Sequence, residues 1–155
     1  MLLSSLLLLP LLTCCAVALE VDADEISIDS DNGVYTLDGN AVAKEESKIF
    51  RADKITVYKK EPEKHPTKID AAGNVSYEDE KNTITSGACQ EKNGFVTFSE
   101  NVVLTGDAFG TIYADKAVYD TDTRHMDLTV QSPKDRVQMV FDEGLYSSKS
   151  KECPK

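Results

Sequence analysis

An all-β fold of repeated antiparallel hairpins is what this sequence predicts, and three observations predict it. Apolar and polar residues alternate with a period of two through runs rich in Val, Ile, Thr, Tyr and Phe, the pattern of strands that bury one face. No long segment has helical spacing. Short phrases also return: Val-Asp-Ala-Asp-Glu-Ile-Ser-Ile from Val21 to Ile28, Phe-Arg-Ala-Asp-Lys-Ile-Thr-Val from Phe50 to Val57, and Ile-Tyr-Ala-Asp-Lys-Ala-Val-Tyr from Ile112 to Tyr119. A weaker copy runs from Ile84 to Gln90. Their anchors Ala23, Ala52, Ser86 and Ala114 recur roughly every thirty residues, a period typical of repeat units that bury their apolar faces on one another.

The unit has a second half. Tyr-Thr-Leu-Asp-Gly-Asn-Ala-Val begins at Tyr35, Ile-Asp-Ala-Ala-Gly-Asn-Val-Ser at Ile69 and Val-Thr-Phe-Ser-Glu-Asn-Val-Val at Val96, with Asn40, Asn74 and Asn101 at the same place in each. One unit is thus used about four times along the chain.

Residues 1–18 stand apart. Leu2 to Leu12 is almost wholly apolar and Ala16-Val17-Ala18 supplies the small residues of a cleavage site, so this segment reads as a secretory signal cut before Leu19. The run is short for a membrane span of roughly 20 residues. Leu11-Leu12-Thr13-Cys14 gives a lesser reading, a lipoprotein anchored at Cys14 or Cys15, although threonine before the cysteine fits poorly. Residues 19–146 make one β domain, and 147–155 a polar tail expected to be disordered. Cleavage leaves only Cys89 and Cys153, too few for a disulfide framework. Cys89 occupies the place of Ile26, Ile55 and Ala117 in the other units, that of a small buried apolar residue.

Within the first half-unit the apolar positions are Val21, Ala23, Ile26 and Ile28, then Phe50, Ala52, Ile55 and Val57, then Ile112, Ala114, Ala117 and Tyr119. The middle step changes parity, so a regular strand cannot keep all four on one face. A bulge or bend at Asp24, Asp53 and Asp115 restores them and carries each strand from one sheet to another, as in a jelly roll or a stacked solenoid. Asn32-Gly33 and Asn93-Gly94 read as tight hairpin turns. Glu61 to Pro66 is a longer loop and Asp120 to Thr123 a fourth turn. Polar or glycine-rich turns lie near Glu46, Glu80 and Gly106 to Gly110. In the second half-unit Gly39, Gly73 and Glu100 interrupt the apolar alternation, and glycine there marks a kink or a close backbone approach.

The chemistry-bearing residues are sparse. A net charge of -10 excludes a nucleic-acid surface, which needs clustered Lys and Arg. His65 and His125 sit in or beside polar turns with no Ser-His-Asp arrangement around them, so both are expected in solvent. Asp29 to Gly33 is similar to the start of a calcium loop, but its glycine comes one position early and no glutamate closes it, which favours a turn. The bend aspartates could form a metal ladder, but turn chemistry explains them more economically. Asn74-Val75-Ser76 matches a glycosylation sequon within a strand. Neither enzyme activity nor a cofactor nor a metal centre is expected. Alternation places Tyr35, Leu37, Ile55, Val57, Ile69, Val75, Val96, Phe98, Val102 and Leu104 on the inner face, either as filled core or as the wall of an apolar groove.

The Ala-Asp-Lys phrases followed by Gly-Asn-Val phrases resemble the OstA-like family over roughly Val21 to Phe141. This family holds the periplasmic lipopolysaccharide-transport proteins LptA and LptC and the amino-terminal domain of LptD. The resemblance implies a periplasmic, twisted β-jellyroll whose apolar groove holds acyl chains of lipopolysaccharide or another envelope lipid, and alternation supplies the ten residues above as its lining. It also implies head-to-tail strand pairing with other Lpt proteins or with further copies in a homo-oligomer, bridging the inner and outer membranes. Val21 to Ile28 and Val137 to Phe141 would be the open edges. Two rivals stand beside this reading: a structural β-repeat protein with a filled core and no ligand, and a secreted hydrolase, for which no catalytic set is visible.

Overall fold

The parity slip in each half-unit is the place where the strands bend. The computed structural model describes residues 19–60, 65–131 and 136–140, and these form ten antiparallel strands in one sheet: β1 (Leu19–Asp22), β2 (Glu25–Asp29), β3 (Val34–Glu45), β4 (Lys48–Tyr58), β5 (Lys68–Glu78), β6 (Asn82–Lys92), β7 (Phe95–Gly106), β8 (Gly110–Asp120), β9 (His125–Thr129) and β10 (Gln138–Val140). The long strands β3 to β8 pair in chain order. Each outermost position is shared by two short strands: β1 and β2 both pair with β3, and β9 and β10 both pair with β8. The sheet is a curled, open β-jellyroll.

Register slips at one level across all the long strands: between Asp38 and Ala41, Arg51 and Lys54, Ala72 and Val75, Thr85 and Ala88, and Ser99 and Val102. Along this line the single sheet curls around one apolar core. The backbone takes left-handed angles there, with φ of 76° and 48° at Gly39 and Asn40, 76° and 46° at Gly73 and Asn74, and 69° and 55° at Glu100 and Asn101. Glycine and asparagine tolerate that region best.

Each bend is locked by a carboxylate from the neighbouring strand. Asp24 packs against Gly39, donates its backbone N–H to the Gly39 carbonyl at 2.8 Å and accepts from Asn40 Nδ2 at 2.9 Å. Asp53 packs against Gly73 and accepts from Asn74 Nδ2 at 2.9 Å. In the third unit the partners are exchanged: Gly87 stands in the aspartate place, and Glu100, in the glycine place, packs against it. The rule is one carboxylate against one residue without a Cβ, whichever strand supplies which. At the fourth bend Asp115 accepts the backbone N–H of Gln131 at 2.8 Å.

The turns follow the sequence with one correction. Asn93 and Gly94, with φ of 54° and 79°, form the expected two-residue turn between β6 and β7, the mirror-type turn that matches strand twist. Asn32-Gly33 does not. Between β2 and β3 the turn spans Ser30 to Gly33, and of these only Gly33 has a positive φ, 64°. The Asp29 carboxylate causes the difference, because it accepts from Asn32 N at 3.1 Å and Asn32 Nδ2 at 2.8 Å and so closes a wider loop. These bonds hold its pKa below the ordinary value. The turn after β8 repeats this design, with Asp120 accepting from Asp122 N and Thr123 N and Arg124 at φ 58° in the place of Gly33.

Most positions the alternation names are buried, Val96 and Phe98 completely, but Val21, Ile26 and Ile28 at the free edge are exposed and Tyr35 and Val57 are half-buried. Cys89 is buried in register with Ile55 and Ala117 along one cross-strand row, and burial pushes its thiol pKa up. His65 and His125 are exposed. The expected signal segment, Cys14, Cys15, residues 61–64 of the expected longer loop, Cys153, the polar tail and Phe141 lie outside the described residues.

Candidate functional site: an apolar cavity beside the first strands

The inner face carries the same four positions in each second half-unit, and their sizes differ. Ala41 and Ala43 on β3 correspond to Val75 and Tyr77 on β5 and to Val102 and Leu104 on β7. Small side chains in the first unit leave space that larger ones occupy in the second and third. A cavity of about 400 Å³ results, confined to the amino-terminal half of the interior. Leu19, Val21, Ile26 and Ile28 form its outer wall at the free edge of the sheet. Tyr35, Leu37 and Ala43 of β3 and Phe50, Ile55 and Val57 of β4 form its body, and Pro66 and Ile69 its inner end. One charged residue, Lys59, lines it.

Half of the sequence-derived inner residues meet at this cavity: Tyr35, Leu37, Ile55, Val57 and Ile69. The others, Val75, Val96, Phe98, Val102 and Leu104, are at most 4 % exposed and fill the remaining interior together with Tyr77, Ile84 and Tyr119. Alternation gives the face a residue points to, and nine of the ten belong to the core or pack against it, while the half-buried Tyr35 lines the cavity. It says nothing of whether the opposite side of the curled sheet reaches across. Val21, Ile26, Ile28 and Phe50 carry the same period and could have been added from it. Lys59 and Pro66, at the ends of the β4–β5 connection, left no signal in the sequence.

Electrostatics set the cavity apart from the acidic exterior. Exposed ion pairs, Lys54 with Asp38 at 2.9 Å and Arg51 with Glu78 at 3.4 Å, lie on the outer face. Lys68 sits 5.0 Å from the Tyr58 ring centroid and pairs with Asp70, whose hydrogen bond raises its pKa. Burial raises the pKa of the enclosed Tyr77 phenol, and burial alone raises that of the half-buried Glu91 to about 7. A second hollow lies along the bend line, bordered by Asn74, Ser76, Thr85, Gly87, Glu100 and Asn101. It is open, with polar and apolar surface in equal measure. Among the described residues no group of three or more His, Cys, Asp or Glu is placed to hold a metal ion. This arrangement is suited to desolvating a hydrocarbon chain, with a cation where that chain would meet water.

No curated protein sequence matches this chain. Among solved structures it is similar to the crystal structure of LptH from Pseudomonas aeruginosa, the LptA-homologous periplasmic component of the conserved lipopolysaccharide transport device. The two share 19 % sequence identity with a TM-score of 0.66, over 81 % of this chain and 95 % of LptH. At that identity the likeness establishes the fold. The sequence itself goes further, for residues 20–125 match the model of the LptA/(LptD N-terminal domain) LPS transport protein family, and the chain belongs to that family.

Proposed function

We propose that this chain is a periplasmic lipopolysaccharide-transport component that takes acyl chains into the cavity beside β1 to β5 and passes the lipid to a neighbour without a covalent step. The cavity itself carries the reading: its lining is apolar apart from Lys59, and it opens at the edge of the sheet rather than being sealed within it. Binding draws on the removal of hydrocarbon from water, about 0.8 kcal/mol per methylene. Tyr35, Leu37, Ile55, Val57 and Ile69 make the direct contacts, and Val75, Val96, Phe98, Val102 and Leu104 form the packed floor. Lys59 offers the anionic head group a cation that the net charge of -10 conceals.

Handover uses the two free edges. β1 and β2 present unpaired backbone along one side, with Ile26 and Ile28 more than half exposed, and β9 and β10 do so along the other, with Met139 and Val140 exposed. Unpaired strand edges accept further strands. Head-to-tail pairing with another Lpt protein, or with a second copy, would lay one molecule's last strands along the next one's first. The amino-terminal segment serves as an export signal on this reading, and the chain performs no chemistry on its cargo.

The test is photo-crosslinking in the native envelope. A crosslinking residue at Val57 or Leu37 should trap lipid that mass spectrometry identifies, and one at Lys92 should not. Ala43→Leu, which gives the first unit the side chain of Leu104, should reduce the trapped lipid several-fold while leaving the protein folded. Equal, low crosslinking at cavity and surface positions would replace this reading with a structural β-repeat protein.

A further inference from the structure

Glu91 does not itself line the cavity, but it stands in the cross-strand row between a residue of the cavity wall and one of the filled interior. It follows Cys89 by two residues on β6, so both face inward, and its neighbours in the row are Ile69 of β5 and Val96 of β7. Ile69 is the last strand residue to line the cavity, and Val96 is completely buried in the filled part. One carboxyl oxygen of Glu91 is buried and has no hydrogen-bond partner. An unpartnered buried oxygen costs free energy that valine or isoleucine, its neighbours in the row, would not. The fold gains nothing from an acid here, so a role in handling the ligand is the better explanation.

We propose that Glu91 sets the length of hydrocarbon that the chain accepts. Uncharged, its carboxyl seals the interior between Ile69 and Val96; ionised, it turns past the rim to water and adds its space to the cavity. The inference rests on the acyl-binding reading above. Groups around it leave the carboxyl free to act so. The nearest charges on β5, Lys68 and Asp70, pair with each other. Phe95, Val96 and Thr97 on the facing stretch of β7 carry none. On its own strand stand the buried Cys89 thiol and, at the strand end, Lys92. Tyr119 of β8 lies one strand further along the row, and Lys59 and Tyr35 belong to the cavity wall. Burial places the titration of Glu91 near neutral pH, within reach of modest changes in the surroundings.

Uncharged alkyl maltosides of eight and twelve carbons, titrated below micelle formation into the mature chain by calorimetry, test the proposal without a titrating ligand. Each methylene buried strengthens binding about fourfold. The ratio of dodecyl to octyl affinity should rise roughly tenfold or more from pH 5.5 to pH 8.5 in the wild type and stay at its low-pH value in Glu91→Gln. Carbon NMR of the Glu91 carboxyl should show its titration in the same interval. Chain-length-dependent binding whose ratio ignores pH would overturn the gate and leave the lipid reading intact. An absence of binding at both pH values would overturn both.

Discussion

Gly73 combines a φ of 76° with the Asp53 carboxylate packed against its α-carbon. Gly73→Ala therefore meets backbone strain and a clash at once and should lower stability by about 2 kcal/mol or more, read as a fall in the urea midpoint at constant slope. Glu46 is the reverse case. It holds a φ of 52° in the exposed two-residue turn between β3 and β4, so Glu46→Gly should raise stability by roughly 0.5–1 kcal/mol. Glu91 links stability to pH. Its folded pKa of about 7 stands above the ordinary 4.5, so the folded chain keeps a proton that the unfolded chain has released. Its contribution is complete below about pH 4.5 and is lost as the pH rises through 7. Thermal melts should show Glu91→Gln gaining on the wild type by about 3 °C between pH 4.5 and pH 8; a difference that does not change with pH would mean a solvated carboxyl. At this scale the sequence was only half readable. The recurrent Asp24, Asp53 and Asp115 stood out, but their partners Gly39 and Gly73 lie on neighbouring strands, and only register brings them together. Glu100 looked like an exception to the glycine row because its counterpart, Gly87, belongs to another phrase.

The long strands were legible because a single physical demand shaped them. A parity change within an apolar pattern has few solutions, and the register slips at all five strand interfaces between β3 and β8 show the one chosen. Turns were less legible where a side chain competes with the backbone: the Asp29 carboxylate converts an Asn-Gly hairpin signal into a wider loop. Alternation alone does not separate the cavity from filled core, since the cavity depends on Ala43 facing space that Tyr77 and Leu104 fill in later units. That contrast yields a prediction for β3. Ala43→Leu should bury new apolar surface and raise the melting temperature, or leave it unchanged, while weakening dodecyl maltoside binding at least about tenfold. Weaker binding together with a large loss of stability would instead mean that the first unit is already tightly packed.

Over the whole molecule, the two edges and the half-open interior set what assembly can do. Met139 lies in β10 at the last edge and faces inward in register with Ile112. Met139→Lys places an inward charge on that edge, a device that discourages strand addition. Sedimentation velocity should show self-association of the wild type reduced in this variant, with its cavity and thermal unfolding unchanged. The interior also has a polarity along the row of strands, open from β1 to β5 and packed from there to β8. Copies joined last edge to first edge would each bring one chamber and one plug. Such a filament is a series of separate berths, not a continuous pipe. Cargo would cross it in discrete hops, with transit time set by the slowest release from a berth and growing with the number of copies, and each berth could hold its lipid securely while the next was still occupied.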